Sequence, residues 1–77
     1  MPNGWANKII INQKIQAGKP VVKGTRVPVY VVLGALAAGM GYKEVEKEYG
    51  IGSDDILSCL NYATEIVSSE EVYAFKK

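Results

Sequence analysis

The chain has 77 residues, one cysteine, no histidine and a formal net charge of +1. This length holds one domain, and the Cys and His counts exclude both an intrachain disulfide and a structural zinc site. The near-neutral charge excludes a strongly polybasic nucleic-acid binder and an acidic solvating tail alike.

The N-terminal run Met1, Pro2, Asn3, Gly4, Trp5 lacks the basic and apolar regions of a signal peptide. No apolar run approaches the ~18 residues of a membrane span, so no membrane partner is expected and a reduced cytoplasmic location is. Residues 1–7 are read as an arm, 8–68 as the single domain and 69–77 as a C-terminal tail. The arm leaves open whether Trp5 docks on the body. Lys8 to Ile11 is rich in β-branched residues and reads as a short strand. Asn12 to Lys14 and Gly18 to Pro20 are turns, Val21-Val22 and Arg26-Val27 are strand fragments, and Lys23 to Thr25 separates them.

Pro28 is placed at the first position of a helix. Val29 to Ala38 carries no charge, so it is expected to be buried on all sides, with Gly39 ending it. Gly34 inside it costs up to ~1 kcal/mol relative to alanine, which points either to close approach of another backbone or to a lack of room for a methyl group. Tyr42 to Tyr49 is a short helix with Val45 and Tyr49 inward. After the turn Gly50-Ile51-Gly52, Ser53 is expected to cap a last helix running to about Val67, with Asp54 and Asp55 in its first turn. Ile56, Leu60, Ala63 and Val67 form its apolar stripe; Asp54, Ser58, Asn61 and Glu65 face the other way. Ser68 to Lys77 is a continuation or a frayed end, and Val72, Tyr73 and Phe75 need a surface to rest on.

Little here supports catalysis. Adjacent Asp54 and Asp55 are explained by a helix start, and Cys59 has no base beside it. The glycines around Lys19 lack phosphate-loop spacing. A short helix, a Gly-containing turn and a longer helix match helix-turn-helix organisation. Ser58 and Asn61 then become candidate nucleic-acid contacts. Yet the start of that helix presents acids, and no Lys or Arg occurs between Lys47 and Lys76. Phosphate contacts drive most nucleic-acid affinity, so such a face is a poor reader of DNA. Residues 1–28 hold +5 and residues 29–77 hold −4. Lys19, Lys23 and Arg26 are therefore candidates for contacting nucleic acid or an acidic partner, against the plain reading of solvated lysines. Arg26 is expected to be structural first, its guanidinium tying turn carbonyls or a carboxylate together.

The string Gly18-Lys19-Pro20-Val21-Val22-Lys23-Gly24-Thr25-Arg26-Val27-Pro28-Val29 resembles the signature of the prokaryotic family called domain of unknown function 433. Leu36 to Met40, the Glu44–Tyr49 helix, Asp55-Ile56 and Leu60 to Ala63 agree with it, so the resemblance spans about Lys8 to Glu65. It implies a mainly α fold: a three-helix, homeodomain-like or winged-helix-like bundle preceded by short β segments. It further implies an antitoxin-like, non-enzymatic role without cofactors: binding and silencing a PIN-like nuclease toxin, with repression of its own promoter as a second role; the acidic start of the last helix limits the expected DNA binding to a weak one. The alternative is a stand-alone interaction domain with no nucleic-acid role. Gly41 and Gly52 stand where the resemblance leads one to expect Ser or Thr caps, with Ser53 taking over the second.

A homodimer is also expected. A core of this size contributes about 3–5 kcal/mol unaided, the first helix has no polar face, and short strands leave edges to pair. The candidate interface is Ile9, Ile10 and Ile11 with Val31, Leu33, Gly34 and Ala38; a well-packed monomer is the plain alternative.

Overall fold

The computed structural model describes residues 5–69. The expectations for residues 1–4 and for residues 70–77, with Val72, Tyr73 and Phe75, lie outside them. Two short strands, β1 (Ile9–Ile10) and β2 (Val21–Val22), pair antiparallel with Ile9 opposite Val22 and Ile10 opposite Val21. Three helices follow: α1 (Val29–Ala37), α2 (Tyr42–Tyr49) and α3 (Ser53–Ser68). Each helix packs on the other two, and β1 lies against α3. The fold is mainly α, a three-helix bundle with a short N-terminal hairpin.

Thr25 closes the hairpin onto α1. Its hydroxyl donates to the Val22 carbonyl at 2.7 Å and accepts from the Val27 amide at 2.9 Å. The Val22 amide donates to Val27 O, and Val29 N donates to Pro20 O, each at 2.9 Å. The expected Arg26-Val27 strand is thus reduced to a single bridge, Val21 with Pro28. These bonds occupy the outer edge of β2, so that edge is not open for pairing with another chain.

Pro28 is not the first helical residue. Its φ and ψ of −70° and 147° make it the residue that precedes α1, with its carbonyl accepting from Val31 N and Val32 N. Gly39 ends the helix in a left-handed conformation, φ 103°. Gly39 N donates to Leu36 O and Met40 N to Ala35 O, each at 3.0 Å, which satisfies the last carbonyls and turns the chain toward α2. Gly50, φ 67°, does the same for α2 and delivers buried Ile51 into the core. Both later helices are preceded by glycine: Gly41 N donates to Glu44 Oε1 and Gly52 N to Asp55 Oδ2, each at 2.9 Å. Ser53 is therefore inside α3 rather than its cap. Asp55 satisfies the glycine amide from within the first turn, where the helix dipole also favours its charge.

The core is Ile9, Val21, Val22, Val29, Val32, Ala35, Val45, Ile51, Ile56 and Cys59. No leucine or aromatic side chain belongs to it. Leu33, Leu36, Leu60, Tyr49, Tyr62 and Trp5 pack around it while remaining partly exposed. The expectation that α1 is buried all round is not met: Val29, Val32 and Ala35 face inward, whereas Tyr30, Gly34 and Ala37 are exposed. An ideal Cβ on Gly34 meets no atom within 4 Å, so neither explanation offered for that glycine holds within one chain.

Candidate partner-binding surfaces

Three surfaces emerge. The first is the turn from Lys23 to Arg26. Arg26 is exposed, and its guanidinium has no partner among the described residues. Only its backbone carbonyl is engaged, by Gln16 Nε2 at 3.2 Å. The expected structural role of this side chain is therefore corrected: a threonine hydroxyl reaches the inner side of the turn with a shorter side chain, and the arginine fork is left to solvent. Lys23 is exposed beside it, its amide bound to Lys8 O at 2.7 Å.

The second surface is the N-terminal half of α3. Asn7, Lys8, Asp54, Leu57, Ser58 and Asn61 surround a shallow hollow of about 320 Å³. Asn61 is exposed, but Ser58 is only 6% exposed and is withdrawn from the surface it was expected to present. Lys8 reaches Asp55 at 3.9 Å, both side chains partly solvated, a pair contributing ~0–1 kcal/mol. The basic N-terminal stretch and the acidic helix start thus meet within one chain. Cys59, fully buried one residue further on, has its thiol pushed up to about 11 by burial and then by the Asp55 charge. It is kept protonated, the opposite of an activated nucleophile.

The third surface is an apolar groove of about 240 Å³ between α1 and α3. Val29, Tyr30 and Leu33 form one wall; Tyr62, Ala63, Ile66 and Val67 form the other. Tyr30, Ile66 and Val67 are 58%, 45% and 62% exposed, a contiguous set of large apolar side chains. Lys19 stands at the rim with its Nζ 4.9 Å from the Tyr30 ring centre, a cation–π contact that covers the aromatic face. Trp5 docks nearby: its ring meets Tyr62 edge-on at 4.9 Å and its Nε1 donates to Glu65 Oε1 at 3.0 Å.

The candidates named from sequence therefore scatter. Lys19 and Leu33 belong to the groove, Lys23 and Arg26 to the turn, Ser58 and Asn61 to the hollow. Of the strand residues, Ile9 is 3% exposed and is core rather than interface, because β1 lies on α3; Ile10 is half-buried and Ile11 exposed. Val31 is half-buried, and Gly34 and Ala38 are exposed on α1 and just after it. Sequence reading missed Tyr30, Tyr62 and Ile66. The spacing of Tyr62 and Ile66, four apart on α3, was the available signal.

Among the described residues no group of three or more His, Cys, Asp and Glu side chains is placed to hold a metal ion, and no helix is long and apolar enough to cross a membrane. No curated protein matches the sequence. Among solved structures, Rv2018 from Mycobacterium tuberculosis is 30% identical over 77% of this chain, with a TM-score of 0.67. The match covers 28% of Rv2018, so the chain spans less than a third of that protein's length. Residues 9–63, from the first strand to the groove wall on α3, match the family described as protein of unknown function, DUF433, and the chain belongs to that family.

Proposed function

We propose that this chain is a non-enzymatic, antitoxin-like binding module that uses its basic turn to hold an acidic surface of a PIN-like nuclease toxin in the cytoplasm. The observation that carries this reading is the exposed Arg26 guanidinium, which has no partner among the described residues. Its planar fork suits bidentate contact with carboxylates, and exposed Lys23 adds a second cation on the same turn. The nuclease as partner rests on the family resemblance. DNA is a weak second ligand. The helix that would read it begins with Ser53, Asp54 and Asp55, while Lys8 is engaged with Asp55. A stand-alone interaction domain without nucleic-acid binding is the competing reading.

The test is to read the neighbouring genes in the native host and to co-express the chain with any small PIN-like nuclease found there; the absence of such a gene counts against the proposal. A co-purifying complex, silenced nuclease activity, and loss of both in Arg26→Ala with unchanged melting support the proposal. No complex and no inhibition with that nuclease refute it.

A further inference from the structure

We propose that the apolar groove between α1 and α3 receives a second copy of this chain, groove against groove about a twofold axis. This goes beyond the toxin-binding reading, which concerns the basic turn from Lys23 to Arg26, and does not depend on it.

Charge selects the occupant. At an isologous contact each residue meets the surface it belongs to, so a lining of one sign repels itself. Apart from Lys19 at the rim, the groove residues carry no charge, and the Lys19 ammonium is turned onto Tyr30. A partner recognised by charge would call for the opposite kind of lining. A second apolar depression, sharing Ala63 and Val67 with the groove, runs along α3 between Leu60, Thr64 and Ser68, again without a charged side chain. Shape agrees: projecting Tyr30 and Val67 stand beside the small residues Gly34 and Ala63, so one surface supplies both knob and recess.

The distribution of large side chains points the same way. The monomer's core contains only Val, Ile, Ala and Cys, while its four leucines are all left wholly or partly accessible. A chain this short usually gains stability by association when disulfide and metal are lacking. At 1.5 Å per residue α3 is about 24 Å long and α1 about 13 Å, so the face they share is small, and small interfaces are typically weak or transient. The dimer is accordingly expected to dissociate in the micromolar range.

The experiment is sedimentation equilibrium of the full chain across micromolar concentrations, without nuclease or DNA, beside Ile66→Glu and Ile11→Glu, each checked by circular dichroism. Ile66 lies in the groove and is 45% exposed; Ile11, beside the hairpin strand, is 59% exposed and serves as the control. A parent dimer weakened roughly tenfold or more by Ile66→Glu and untouched by Ile11→Glu is the expected result. A monomeric parent, or a dimer sensitive to Ile11→Glu alone, overturns the proposal. Should Ile66→Glu unfold, Ala63→Cys and Val67→Cys decide: an oxidative cross-link between copies at either position supports the groove contact, and none at both refutes it. Native Cys59, fully buried, stays out of that reaction.

Discussion

Thr25 is the residue whose replacement separates hairpin architecture from surface chemistry. Thr25→Val keeps the volume and removes the hydroxyl that accepts from Val27 N at 2.9 Å and donates to Val22 O at 2.7 Å. Val22 O keeps a partner, because the Thr25 amide also donates to it at 3.0 Å. Val27 N does not, and it lies in a half-buried turn. One lost hydrogen bond plus a partly buried amide left unmade costs about 1–2 kcal/mol. For a chain of this size that corresponds to a fall in Tm of roughly 5–15 °C. Thr25→Ser retains the hydroxyl and is expected to fall by less than half as much. Arg26→Ala, which removes a side chain with no partner among the described residues, is expected to stay within about 0.5 kcal/mol of the parent. Urea denaturation of the three variants measures all of this. A neutral Thr25→Val together with a destabilising Arg26→Ala would refute the assignment and restore the arginine as the structural tie.

Gly34→Ala is expected to stabilise the monomer by about 0.5–1 kcal/mol, since a Cβ there meets nothing within 4 Å and alanine favours the helix; dilute-protein thermal melts showing a loss would reveal a contact absent from the single chain. Cys59 gives a pH signature. Its folded thiol titrates at about 11 against an ordinary 9.0, so unfolded chains lose the proton first. Stability from this group is therefore full below pH 9.0 and is lost as pH rises toward about 11. Cys59→Ala should flatten the alkaline fall in urea midpoint, and identical slopes would count against burial of the thiol. DNA binding, read by fluorescence anisotropy, is expected to be weak and salt-sensitive, reduced in Lys19→Ala/Lys23→Ala and little changed in Asn61→Ala; tight sequence-specific binding lost in Asn61→Ala would reverse the ranking of surfaces.

The sequence made the elements legible because their signals are local. The charge-free run before Gly39 marks α1, the two glycine-bounded turns mark α2, and the acids after Gly52 mark the start of α3. What it did not reveal depends on partners distant in sequence. Arg26 and Thr25 are adjacent, and both are able to tie a turn. Only the distance to Val22 O and Val27 N shows that the short hydroxyl does so. Trp5, assigned to an arm, finds Tyr62 and Glu65 some sixty positions along the chain.

Helix α3 shows most clearly why periodicity alone misplaced the exposed apolar face. Val67 is eleven residues beyond Ile56, which at 100° per residue returns it to the same side of the helix. Ile56 is nevertheless fully buried and Val67 is 62% exposed. The difference is length: α3 has 16 residues against 9 in α1 and 8 in α2, so among the described residues its last turns are only partly covered. Ser58 fails in the opposite sense. Its azimuth points away from the stripe, but Asn7 and Lys8 border that side and β1 lies against α3, leaving Ser58 6% exposed. The N-terminal half of α3, the end a helix-turn-helix protein brings to the bases, is thus partly covered by the chain's own first strand and carries Asp54 and Asp55. The open, apolar part is the C-terminal half, where Tyr62, Ile66 and Val67 face Tyr30 and Leu33 across the groove. A phosphate backbone gains nothing from such a surface, whereas protein side chains do. Together with the Arg26 guanidinium, which has no partner among the described residues, this distribution suits contact with protein better than contact with DNA.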